Sequence, residues 1–192
     1  VDADAPSGIY WLDTGFYPTN RPSRSLPLVV DGQPIERNSV TIGPIKVGGP
    51  PQGITVSEAS PQITLNTTFD NEITLLGFDW ELDRNTQDTE ADSNEITTLT
   101  LYWQANTPPQ SDYTVFVHLL DSAGQLTGQA DGPPAAGVYP TSLWEPGEII
   151  VDRHQLPAGL QYDSVNIGLY RTDTGQRLSA DGYPDGAVPL SH

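Results

Sequence analysis

Apolar and polar residues alternate with a period of two over short stretches, each closed by turn-forming residues, while a 3.6-residue helical period is sustained nowhere over ten residues. The pattern predicts an all-β chain. Strands are expected at Ile9–Tyr17, Leu26–Val30, Val40–Val47, Ile63–Leu65, Ile73–Glu81, Ile96–Ala105, Tyr113–Asp121, Glu148–Leu156 and Leu160–Tyr170, with a short one near Arg177–Ala180. In Ile96–Ala105, Leu99, Leu101 and Trp103 share one face, and Thr98, Thr100, Tyr102 and Gln104 the other, so one face is core and one is wetter. Tyr113–Asp121 is apolar on both faces, with Val115, Val117 and Leu119 opposed to Phe116, His118 and Leu120. That strand belongs at a sheet centre or under a covering loop.

Turn chemistry separates the strands. Asp31-Gly32, Asp131-Gly132-Pro133-Pro134, Ala158-Gly159, Thr174-Gly175 and Asp181-Gly182 supply residues that tolerate positive φ or preset a bend. Short strands joined in this way predict an antiparallel β-sandwich of Greek-key or jelly-roll type. Its expected interior includes Trp103, Leu101, Val115, Val117, Leu119, Val165, Ile167 and Leu169. The run Gly48-Gly49-Pro50-Pro51-Gln52-Gly53 cannot hold a ladder, so it reads as a linker (48–53) between a β-hairpin segment (1–47) and the sandwich (54–192). Asp83–Glu95 is polar throughout and reads as a long hairpin loop.

There is also an internal echo. Pro6-Ser7-Gly8-Ile9-Tyr10 followed by Gly15-Phe16-Tyr17 parallels Pro157-Ala158-Gly159-Leu160-Gln161-Tyr162 followed by Gly168-Leu169-Tyr170, and both run through a polar turn to Arg and Leu. The N-terminal segment thus reads as the closing hairpin of a module whose own beginning is not in the sequence. It is too apolar to stay free in water and too small for its own core, so it is expected to pack on a sheet, of its own chain or of a neighbour.

A wider likeness follows from Leu75-Leu76-Gly77-Phe78-Asp79, Leu99-Thr100-Leu101-Tyr102-Trp103-Gln104-Ala105 and Asp112–Asp121, together with Tyr139-Pro140-Thr141, Trp144-Glu145-Pro146-Gly147-Glu148, Asp152, Gly168-Leu169-Tyr170 and Gly175-Gln176-Arg177-Leu178. Over about residues 63–180 the chain resembles the extracytoplasmic β-sandwich domains that follow the membrane part of large glycosyltransferase-like proteins, especially in Chloroflexi-type bacteria. Gly43-Pro44-Ile45-Lys46-Val47 is similar to the strand that commonly follows the tail hairpin in that family. The resemblance implies a sandwich fold and a location outside the cell, and no reaction.

Composition narrows the partners. Among 192 residues, 25 acidic side chains face 8 basic ones, a net charge of −17. With one lysine and seven scattered arginines the chain lacks the basic patch that nucleic acid or an anionic membrane surface requires. No apolar run approaches the roughly 20 residues that span a bilayer, so this segment is expected not to insert in a membrane. Absence of cysteine excludes disulfides and thiolate chemistry. The absence of methionine, even at position 1, marks a processed product or a piece of something longer, and the acidic, Thr-, Ser-, Gly- and Pro-rich composition points to an extracellular or cell-surface domain.

No catalytic set is coherent. Glu148 and Asp152 share a strand face at roughly 13 Å, too far apart for either glycosidase geometry, and no Gly-x-Ser-x-Gly elbow accompanies His118, His154 or His192. His154, after Asp152-Arg153, is expected in a salt-linked surface role, and His118 as a core or loop-anchoring residue. No cofactor is called for. Calcium is the metal the oxygen-rich composition allows, and Asp83, Asn85 and Asp88 begin an EF-hand-like run that then fails, with Asp88 in the glycine position and Asn94 at the twelfth. Sugar contact is better supplied: Trp144 and Tyr139 lie in the long turn-rich segment Asp131–Pro146 and, with His118, Gln129 and Asp131, are expected to form one loop-end patch. Trp144 has the alternative role of plugging the end of the sandwich. Asn66-Thr67-Thr68 matches an N-glycosylation sequon at Asn66. The expected function is a non-catalytic accessory module of a cell-envelope protein that contacts carbohydrate. The alternatives are a self-assembling structural subunit that pairs with neighbouring copies by strand donation, and a glycoside-active enzyme.

Overall fold

A computed structural model describes residues 4–21, 24–83 and 96–190, and divides the chain into two units, Val1–Pro50 and Pro51–His192. The division falls inside the glycine-proline run. In the first unit β1 (Gly8–Thr14) pairs antiparallel with β4 (Val40–Val47), and the connection carries a two-residue ladder of β2 (Val29–Val30) and β3 (Gln33–Pro34). Asp31 and Gly32 form the turn between β2 and β3 at φ of 50° and 78°, the pair of left-handed residues that a tight two-residue hairpin demands.

The second unit is the predicted all-β sandwich. Its strands are β5 (Thr55–Val56), β6 (Ile63–Phe69), β7 (Ile73–Asp83), β8 (Ile96–Ala105), β9 (Tyr113–Leu120), β10 (Leu126–Gln129), β11 (Ile149–Gln155), β12 (Ser164–Arg171) and β13 (Val188–Leu190). One sheet has the order β5-β11-β8-β7-β6 and the other β10-β9-β12-β13, and every pairing is antiparallel. The expected interior residues are all buried, with Leu101, Trp103, Val115, Val117, Leu119, Ile167 and Leu169 fully enclosed and Val165 nearly so. The apolar outer face of β9 is covered by the chain after β12: Thr172 meets Thr114 at 3.0 Å, and the Arg177 guanidinium lies 4.2 Å from the centre of the Phe116 ring. Gly168, opposite Phe116, makes room for that ring; a Cβ there would stand 2.5 Å from it and 2.1 Å from the Gly186 carbonyl oxygen.

Boundaries depart from expectation where tertiary pairing outlasts local pattern. β6 runs on to Phe69 past a bulge at Asn66, whose φ is 59°, and the expected strand near Arg177–Ala180 is reduced to isolated bridges with Tyr170 and Phe69. The long expected strand Leu160–Tyr170 begins only at Ser164. Among the described residues, no helix is long and apolar enough to cross a membrane.

Candidate functional site

The segment between β10 and β11 is a built plug. Gly132 exchanges both backbone hydrogen bonds with Val115 at 2.9 Å, which seats the turn on β9. Thr141 accepts from Tyr113 N–H at 2.8 Å, and the Trp144 indole donates to the Tyr139 carbonyl at 3.0 Å. Tyr139 hydroxyl reaches Glu148 Oε2 at 2.5 Å, and that oxygen also accepts from Glu145 N–H at 2.9 Å. Trp144 is 1 % exposed and Tyr139 0 %.

These burials correct the expected loop-end patch. Two aromatic rings with no exposed face cannot stack on a sugar; Trp144 and Tyr139 close the sandwich end, which is where a ring pair gains most from leaving water.

Beneath the plug lies a charged pair that the sequence reading placed on the surface. In β11 the inward positions are Ile150, Asp152 and His154, cross-strand from Trp103, Leu101 and Leu99. Asp152 is 0 % exposed. Its Oδ1 accepts from Ala135 N–H at 2.9 Å, and its Oδ2 accepts from Trp103 Nε1–H at 3.2 Å and from His154 Nε2 at 2.7 Å. The other imidazole nitrogen of His154 faces the Ala130 carbonyl at 2.8 Å, an acceptor only, so Nδ1 carries a proton. Where Asp152 Oδ2 accepts from Nε2 as well, both ring nitrogens donate, which is the arrangement of the charged imidazole. Burial disfavours that charge, but the Asp152 hydrogen bond and charge, the Ala130 carbonyl and Asp131 outweigh it and hold the His154 pKa above its usual value. Ala135 and Ala136 adopt left-handed φ of 51° and 52°, a conformation that alanine avoids, and this turn delivers Ala135 N–H to the carboxylate. The pair ties the segment between β10 and β11 to the sheet through Ala130 and Ala135.

The remaining three patch residues, His118, Gln129 and Asp131, do come together on the outer face of the four-stranded sheet. Gln129 stands opposite His118 across the β10–β9 ladder. Asp131 fixes itself by accepting Val117 N–H on Oδ1 at 3.0 Å, leaving Oδ2 3.8 Å from His118 Nε2. Side chains of His118 and Asp131 are about one-fifth exposed. Desolvation lowers the His118 pKa, with Arg177 adding to it, against the opposing pull of Asp131. The imidazole is therefore neutral at pH 7 and presents both a donor and an acceptor. His118 and Asp131, with Phe116, Tyr170, Gly175 and Arg177, line an open cleft of about 210 Å³; Gln129 stands beside it and does not line it. Phe116, itself 1 % exposed, lies beneath the cleft, its ring covered by His118 at 4.7 Å and by the Arg177 guanidinium at 4.2 Å.

Arg177 and Tyr170 were not read as site residues from sequence. The signal was available in the polar turn Thr174-Gly175-Gln176-Arg177, which had to return over β9 if that strand was apolar on both faces. Of the calcium candidates, Asn85 and Asp88 lie outside the described residues, and Asp83 ends β7. Among the described residues no group of three His, Asp or Glu side chains converges on a metal position. Asn66 is exposed at the β6 bulge. Comparison with protein-family models, curated proteins and solved structures found no match to this chain.

Proposed function

We propose that the chain is a non-catalytic accessory module of a cell-envelope protein, working outside the cell by contact with carbohydrate. The observation that carries this reading is the cleft of His118, Asp131, Tyr170 and Arg177. A fixed carboxylate oxygen, a neutral imidazole and a guanidinium there stand beside the half-buried ring of Tyr170, a combination that takes vicinal hydroxyls and the apolar edge of a pyranose ring. At about 210 Å³ it is smaller than the roughly 300–1,000 Å³ of pockets that engulf a ligand, which fits glancing contact with one or two sugar units of a longer glycan. Residues 51–192 hold four basic against twenty acidic side chains, net −16, so polyanionic glycans are repelled and neutral ones are the expected class. A single carboxylate in the cleft supports binding over glycoside hydrolysis, which calls for two. The test is a glycan array probed with the full chain and with Arg177→Ala: neutral glycans retained by the first and lost by the second support the proposal. Retention unchanged by the substitution, or no retention of any neutral glycan, overturns it.

A further inference from the structure

Part of the first unit, Leu12–Thr14 with Val40–Ile42, can be laid on the hairpin that closes the second. In the second unit β12 and β13 pair Val165 with Leu190, Asn166 with Pro189 and Ile167 with Val188. In the first, β1 and β4 pair Leu12 with Ile42, Asp13 with Thr41 and Thr14 with Val40. A constant offset on each strand converts one set into the other, and it carries Phe16 onto Leu169. The connections close alike as well: Leu178 N–H donates to the Leu169 carbonyl at 2.9 Å, and Leu26 N–H to the Phe16 carbonyl at 2.8 Å. A three-pair ladder would align with any antiparallel hairpin; the match lies in the closure, which falls where the ladder offset puts it, and in Gly15-Phe16-Tyr17 falling on Gly168-Leu169-Tyr170 under the same offset.

The environments of matched side chains are opposite. Phe16 is 80 % exposed where Leu169 is 0 %, and Ile42 is 52 % exposed where Leu190 is 4 %. Leu12, Leu26 and Val40 are each 46 % exposed, against 1 % for Val165, 2 % for Leu178 and 1 % for Val188. In the second unit β12 owes its burial to β9 on its other edge and to the facing sheet. In the first, β1 has β4 on one edge and, among the described residues, no strand on the other. A two-stranded ribbon with such a face is marginal in water.

We infer that residues 1–50 are an acceptor-specific closing hairpin, and that the occupant of their apolar face is an antiparallel β-sandwich of the second unit's kind that lacks its own closing hairpin and offers an open edge strand equivalent to β9. A second copy of this chain does not meet that description, because both edges of its β9 are taken, by β10 and β12. Charge agrees: residues 1–50 carry four basic and five acidic side chains, net −1, so the hairpin can close an acidic sandwich without adding to its self-repulsion.

The test uses hydrogen exchange on two proteins, the 192-residue chain and a tandem in which residues 51–156 are placed ahead of Val1. Those donor strands followed by Pro157–Leu190 are the second unit itself, so their competence to accept a hairpin is built in. Amides of 8–14 and 40–47 should exchange fast in the 192-residue chain, which should sediment as a monomer, and slow by about 100-fold or more in the tandem. Phe16→Glu in the tandem should restore fast exchange there while residues 164–190 stay protected. Slow exchange of 8–14 already in the 192-residue chain, as a monomer or through a dimer with a second copy, overturns the inference. Fast exchange of these segments in the tandem, with residues 164–190 protected, overturns it equally.

Discussion

Replacing Asp152 with alanine removes one side chain and strands three donors. Ala135 N–H, Trp103 Nε1–H and the His154 imidazolium each lose their acceptor in a region from which water is excluded. Deleting one partner of a buried ion pair costs about 3–5 kcal/mol, mostly the penalty of leaving the other charge unpaired. At about 4 °C per kcal/mol for a unit of this size, that lowers the melting temperature by roughly 12–20 °C. The effect depends on pH in a fixed direction. The His154 pKa is raised in the folded protein, so the pair's contribution is complete below the ordinary histidine value of 6.5 and is lost as pH rises through the folded value. The gap between wild type and Asp152→Ala should therefore be widest below the ordinary histidine value of 6.5 and narrow as pH rises above it. Near-ultraviolet circular dichroism melts follow Trp103 and Trp144 directly. A loss below about 1 kcal/mol near pH 6, or a gap that widens with pH, would refute the argument that these contacts latch the plug to the sheet.

Three further outcomes are expected. Trp144→Ala should cost about 3–5 kcal/mol in urea unfolding while leaving any glycan retention intact, since the ring fills the sandwich end and is remote in role from the cleft. Gly168→Ala should destabilise by at least about 1–3 kcal/mol, because its Cβ would press on the Gly186 carbonyl, a backbone atom, as well as on Phe116; a neutral result would mean that the covering segment moves aside freely. The Tyr102 phenol, hydrogen-bonded to Asp79 Oδ2 at 2.7 Å and so pushed up to about 12, should ionise later than exposed tyrosines in an ultraviolet titration, and Tyr102→Phe should reduce the late-titrating amplitude by one phenol while Tyr113, held up by burial and Glu72, and Tyr162, held up by burial, remain late.

Val40–Val47 and Ile96–Ala105 were legible to the residue because alternation and flanking turn chemistry agree there. β10 was not, since Gly128 and Gln129 blur its alternation and its pairing with β9 supplies what its sequence lacks. β13 is three residues with a central proline and exists only as an edge to β12. The site was half legible. His118, Gln129 and Asp131 stand near one another on the outer face of the sheet, whereas Trp144 and Tyr139, drawn to the surface in the reading by their turn-rich neighbourhood, are folded inward by the same turns. His154 was misplaced because Asp152-Arg153 reads as polar; the parity of Ile150, Asp152, His154 and Leu156 would have put it inside, and each of those four is buried. Charge type misleads about burial when a buried ion finds a buried partner.

The proposed action through the cleft over β9 is tested by following backbone amide resonances of the full chain while neutral oligosaccharides are added. The account predicts saturable shifts at His118, Gln129, Asp131, Tyr170, Gly175 and Arg177, abolished by Arg177→Ala, with the plug residues Tyr139 and Trp144 unmoved. Shifts centred elsewhere, or none up to a concentration of about 10 mM, beyond the weak millimolar range, would contradict it.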